Sequence, residues 1–82
     1  VAQRQDPPPI FKLGTVIRRR RKECELTQRQ LAERAGLHFS HISYLESDSH
    51  FPSWQALCSL STALGIRPSR LMRMAEDLQS EG

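Results

Sequence analysis

The residues of this chain with the clearest chemical potential are a run of five cations, Arg18 to Lys22, and a scatter of possible ligands and nucleophiles: Cys24, Cys58, His38, His41 and His50. The run suits a polyanion. Twelve Lys and Arg face nine Asp and Glu, a net charge of +3, and Glu76, Asp77 and Glu81 gather in the last segment, so one end of the chain is basic while the other is not. Five consecutive residues must point in different directions around a helix, however. Arg18, Arg19 and Lys22 are therefore equally well read as a solvated face that only raises the local potential. A zinc site is not expected, because no C-x-x-C or H-x-x-x-H spacing occurs and His38 and His41 share only an i, i+3 relation. A Cys–His nucleophile pair is not expected either, since both cysteines fall on predicted core faces. No metal, cofactor or catalytic residue is expected, and the reading is not that of an enzyme.

Composition narrows the class further. Eighty-two residues, 38% of them hydrophobic, suffice for one domain with one modest core and leave little room for a large enclosed active site. Two cysteines inside apolar-periodic segments are unlike a disulfide scaffold and point to a reducing, cytoplasmic setting. No apolar run approaches the ~18 residues of a membrane span. The opening VAQRQDPPPIF lacks the apolar stretch of a signal peptide.

These residues must be positioned by helices, and the periodicity predicts five. Residues 1–10, with three consecutive prolines at 7–9, read as an extended, mobile arm before a domain spanning 11–78. From Phe11 to Glu25, Leu13, Val16, Ile17 and Cys24 recur at roughly helical spacing. Thr27 and Gln30 form a T-x-x-Q capping box ahead of Leu31, Ala32 and Ala35, which opens a second helix. Gly36 stands where a helix needs a left-handed terminal residue. The segment His38 to Ser47 carries Ile42 and Leu45 three apart and predicts a short third helix. After the polar SDSHFP loop, Ser53 can cap a fourth helix with Trp54, Leu57, Leu60 and Leu64 on its core side, and Gly65 ends it. Pro68 or Ser69 opens a fifth through about Leu78, with Leu71, Met72 and Ala75 on its apolar side, before a polar tail at 79–82. No strand pattern is present, so the expected fold is all-α, a compact five-helix bundle.

The most informative stretch is Gln28 to Leu45. Its apolar and small residues suit two short helices folded against each other at a steep angle. Ala32 is small where the second helix must approach the third, Gly36 supplies positive φ, and Leu37, Ile42 and Leu45 form the underside of the third helix. The opposite side of that helix is left free. Together, I-x-x-x-R before the turn, L-T-Q-x-x-L-A-x-x-A-G-L, I-S-x-L-E, P-S-x-x-x-L and A-L-G-I form an ordered set spanning about residues 11 to 72. In this set the sequence resembles the lambda-repressor/Cro-like, or XRE-type, helix-turn-helix family. The resemblance implies a lambda-repressor-like DNA-binding domain whose third helix enters the major groove, and dimers that read two half-sites about one helical turn apart.

Position by position, the resemblance implies that Phe39, Ser40, Ser43 and Tyr44 read base edges. Serine hydroxyls can donate to or accept from several bases, and the aromatic rings can meet a thymine methyl. It implies phosphate contacts at Gln28, where the second helix begins, and in the loop at Ser47, Ser49 and His50, with His41 also within reach of the backbone. Arg21 and Glu46 match a structural pair that bridges the first helix to the third. Double-stranded DNA is the expected partner, and Ile66, Pro68, Leu71 and Met72 are the expected surface of a homodimer.

Departures from the family pattern carry their own expectations. Glu25 stands where glycine is usual, and a left-handed conformation there would cost roughly 1 kcal/mol. Ser47-Asp48 replaces the common Asn-Gly, His38 replaces a Ser or Thr cap, and Arg20 occupies a position that is often leucine. The leading expectation is a transcriptional regulator, a repressor, that reads a palindromic operator. The alternative keeps the fold as a protein-interaction module, an antitoxin-like partner or the DNA-binding part of a larger regulator.

Overall fold

The computed structural model of the protein describes residues 12–48 and 50–81, the side chains of 80 and 81 excepted. The proline-rich arm assigned to residues 1–10 and the phosphate contact assigned to Ser49 lie outside the described residues. Five α-helices follow in order, α1 (Leu13–Glu23), α2 (Gln28–Ala35), α3 (Phe39–Glu46), α4 (Trp54–Leu64) and α5 (Pro68–Glu81), with no strand among the described residues. Helix α2 packs on α3 and α4, while α1 packs on α3 and α5. The faces that meet are those of the helical periodicity: Leu13, Val16 and Ile17 from α1, Leu31 and Ala32 from α2, Ile42 and Leu45 from α3, Leu57, Leu60 and Leu64 from α4, and Leu71 and Ala75 from α5. Burying each large aliphatic side chain in that cluster contributes about 1.5–3 kcal/mol.

Three of the helices stop in the same way. At the ends of α1, α2 and α4 a residue with positive φ (Glu25, Gly36, Gly65) turns the chain. The next residue, Leu26, Leu37 or Ile66, then donates its N–H back to the carbonyl of Arg21, Ala32 or Ser61 at 3.1, 2.9 and 3.0 Å. This is the Schellman arrangement, in which an apolar residue just past the turn folds back on the helix and orphan carbonyls are satisfied. Gly36 and Gly65 take the left-handed conformation without a side-chain penalty. Glu25, at φ 59, does not. Because its side chain is exposed, Glu25→Gly should relieve that strain. A net stabilisation of about 0.5 kcal/mol remains after glycine's extra chain entropy, a rise of roughly 2–4 °C in Tm by thermal unfolding.

Helix starts are more varied. Thr27 and Gln30 form the reciprocal capping box at α2, and Ser53 accepts from the Ala56 N–H at α4. At α3 the imidazole of His38 does the work of a Ser or Thr, its Nδ1 accepting from the Ser40 N–H at 3.1 Å. Helix α1 has no local side-chain cap. Its Thr15 N–H instead donates to Oδ1 of Asp48, 33 residues on, at 3.1 Å, and the Thr15 hydroxyl donates to Oδ2 of the same carboxylate. An acid at the positive end of the α1 dipole is thus delivered by the loop after α3.

Two expectations are corrected. Trp54 does not anchor the α4 core; it is 67% exposed on the first turn. Helix α5 runs to Glu81, beyond Leu78, so residues 79–81 of the expected polar tail are helical. No glycine, proline or capping residue stands between Leu78 and Glu81 to stop it. Arg20 is half-buried in a site where leucine is common, and its Nε donates to the last carbonyl of α4, Leu64, at 3.1 Å. The charge is accommodated because that carbonyl lies at the negative end of a helix.

Candidate nucleic-acid interface

Helix α3 buries Ile42, Leu45 and Glu46 and turns Ser40, Ser43 and Tyr44 to solvent, with its C-cap Ser47 exposed beside them. That division is the amphipathic pattern with a polar outer face. Phe39, Ser40, His41, Ser43, Tyr44 and Ser47 line one shallow groove of about 530 Å³ along this face. The four residues assigned to base reading therefore lie together, with two of those assigned to the phosphates beside them. His50, from the loop after α3, leans back onto the same helix: its ring lies 4.0 Å from that of Tyr44, and its Nε2 shares a hydrogen bond of 3.0 Å with the phenol. Tyr44 is half-exposed, so this pair fixes its ring without taking it from solvent.

The helix is held from beneath by charge. Arg21 donates from Nε to Glu46 Oε2 at 2.7 Å and from its Nη2 to Oε1 at 3.0 Å, and its remaining Nη1 donates to the Leu26 carbonyl at 2.8 Å. Both side chains are buried, and a bidentate Arg–carboxylate pair is the geometry that best offsets desolvation. Gln28 completes the cluster by donating its amide to Glu46 Oε1 at 3.0 Å. The glutamine assigned to a phosphate is thus anchored to the structural pair, at the opening of α2.

Arg18, which the basic run left equally open to a polyanion contact and to a solvated face, joins this group. With Arg21, Gln28, Ser43, Glu46 and Ser47 it lines a recess of about 260 Å³ between α1, α2 and α3. The signal was present in the spacing, since Arg18 stands three residues before Arg21 and so shares its side of α1. Arg18 is exposed like Arg19 and Lys22, but it alone of the three lines this recess. A second residue that the spacing did not single out is Arg29 of α2, whose guanidinium lies over the Phe39 ring, 4.4 Å from its centroid. Phe39 itself is half-buried against the core.

Residues 12–74, well over half of the chain, match the helix-turn-helix domain family. The chain belongs to that family. It is a helix-turn-helix DNA-binding domain of the lambda-repressor/Cro-like, XRE type, with α2 and α3 as the two helices of the motif. The domain is 42% identical over 60 residues to the immunity repressor protein of Bacillus phage phi105, a match that covers 73% of this chain but 42% of the repressor. The helix-turn-helix domain therefore spans about two fifths of that relative's length. Among solved structures it is similar to the restriction-modification controller protein C.AhdI from Aeromonas hydrophila, with a TM-score of 0.72, 32% identity, and coverage of 76% of this chain and 94% of that one. It is also similar to the clp gene regulator ClgR from Corynebacterium glutamicum, with a TM-score of 0.80, 28% identity, and coverage of 92% of this chain and 83% of that one.

Elsewhere on the helix-turn-helix domain, the residues assigned to a dimer surface divide. Ile66, just before α5, and Pro68 and Met72 within it are half-buried. Leu71 is fully buried in the core of its own chain and cannot belong to an exposed surface; the expectation for it is corrected. A residue on the inner line of a helix and one on its flank look alike in an apolar count, and only the packing of α5 on α1 and α4 separates them. Among the described residues no group of three or more His, Cys, Asp or Glu could hold a metal ion, and no helix is long and apolar enough to cross a membrane.

Proposed function

We propose that this domain is the sequence-reading part of a transcriptional regulator, a repressor, which inserts α3 into the major groove of a palindromic operator as a homodimer. The observation that carries the reading is the outer face of α3: a solvent-facing row of hydroxyls and one phenol, gathered in a single groove and clamped from below by the Arg21–Glu46 pair. A recognition helix must present donors and acceptors on one side and be rigid on the other, and this helix meets both needs. Ser40, Ser43 and Tyr44 are read as base-contacting residues, and Gln28, His41, Ser47 and His50 as phosphate-contacting ones. The 42% identity to a phage immunity repressor supports the repressor role. The partly buried apolar residues Ile66, Pro68 and Met72 are read as part of the surface that pairs two copies.

The test is selection of bound sequences from a random duplex pool at near-physiological salt. A palindrome with half-sites about ten base pairs apart is the expected product. Ser43→Ala or Tyr44→Ala should change which bases are enriched, by about 1–3 kcal/mol at the affected position, whereas Gln28→Ala should weaken all sequences about equally. Unchanged affinity and preference in Tyr44→Ala would show the assigned face of α3 to be wrong.

A second reading, a protein-interaction module on the same fold, is favoured by two large exposed aromatics after α3: Phe51, 52% exposed, and Trp54, 67% exposed. Salt separates the two. Binding through phosphates weakens steeply as salt rises, and an apolar protein contact does not.

A further inference from the structure

We infer that Arg29 is a base-reading residue of the DNA face and that Phe39 is the platform that positions it, an inference that rests on the DNA-binding reading of α3. Arg29 is the second residue of α2 and is exposed. A cation at the positive end of a helix gains nothing from the dipole, so helix stability does not account for it. Nor does a carboxylate: the ion pairs given by the described residues join Arg20 to Glu23 and Arg21 to Glu46. What holds the Arg29 guanidinium is the Phe39 ring, 4.4 Å from centroid to guanidinium carbon. Phe39 in turn is fixed, because it is half-buried against the core cluster.

The chemistry follows from the shape of the group. A cation–π contact holds a guanidinium by its charge and does not consume its N–H donors as an ion pair would. Those donors match the O6 and N7 acceptors of guanine, which a bidentate arginine reads in the major groove. Phe39 is the first residue of α3, and the N-terminal residues of a recognition helix are the ones that meet base edges. An apolar side chain at a groove-facing position is thereby explained: it serves as a support for a donor carried by the neighbouring helix.

The experiment repeats the random-duplex selection with variants that circular dichroism shows to be folded. The wild type is expected to enrich a guanine at one position of each half-site. Arg29→Ala and Arg29→Lys should both lose that preference, since lysine keeps the charge but not the fork, with affinity for the wild-type consensus falling about 5- to 100-fold in Arg29→Ala. Phe39→Tyr, which keeps an aromatic ring beneath the cation, should retain the guanine. Phe39→Leu should relax it, and should relax nothing more at that position when Arg29 is already alanine. An unchanged consensus in Arg29→Ala overturns the inference while leaving DNA reading intact. So does a uniform loss of affinity with a shallower salt slope and the same consensus, which would make Arg29 a phosphate contact. Enrichment of nothing by the folded wild type removes the DNA-reading premise, and the inference falls with it.

Discussion

Glu46→Ala should destabilise the domain by about 3–5 kcal/mol, read as a shift in the urea unfolding midpoint without a change in slope. The cost is set by what stays behind. Arg21 is buried, with both of its bonds to Glu46 gone and only the Leu26 carbonyl left to accept from it, and the Gln28 amide loses its acceptor as well. A domain of this size has about 5–15 kcal/mol in total, so the variant should be marginal at physiological temperature. The companion experiment distinguishes loss of a favourable pair from stranding of a charge. Replacing both partners together, with Arg21→Met and Glu46→Leu, should recover most of the stability, because the expense lies in the uncompensated cation. If the double variant is no more stable than Glu46→Ala, the pair contributes on its own account. In either case α3 loses the bridge to α1 that sets its tilt, so the folded double variant should bind DNA with weakened sequence preference.

Gly14→Ala should be the second severe change, at a position where helix propensity alone predicts a gain of about 1 kcal/mol. A Cβ built on Gly14 would collide with the carbonyl oxygen of Leu45 and sit 2.7 Å from Oδ1 of Asp48 and 3.0 Å from its N. Two of these three neighbours are backbone, which a rotamer change cannot move. Helix α1 and the end of α3 must separate, and Thr15 then loses its two bonds to Asp48. Overpacking of this kind costs about 1–3 kcal/mol and each lost bond about 1 kcal/mol, so after the propensity gain a net loss of about 2–4 kcal/mol is expected by urea unfolding. A variant as stable as the wild type would mean that the two helices can part at little cost.

Most of the helical framework was legible in the residues because each signal is local. Thr27 and Gln30, Gly36, Ser53 and Gly65 mark ends that a few consecutive residues determine, and the apolar spacing marks the buried faces. The end of α5 was not legible, since nothing in the sequence stops it at Leu78. The outward side of α3 was legible for a related reason: once Ile42 and Leu45 point inward, the 3.6-residue period sends Ser40, Ser43 and Tyr44 outward.

What the sequence determined by itself, then, was the number and order of the helices, the helix-turn-helix resemblance and the free side of α3. Only the tertiary structure decided how distant residues share a duty. It placed Asp48 at the start of α1, Arg20 at the end of α4, Arg18 beside Gln28 and Arg29 over Phe39. It also sent Trp54 outward and Leu71 into the core. Periodicity constrains a side chain's direction relative to its own helix axis. Whether that direction meets a neighbour, a charge or water depends on where the other helices lie, and that is fixed by packing the whole chain at once.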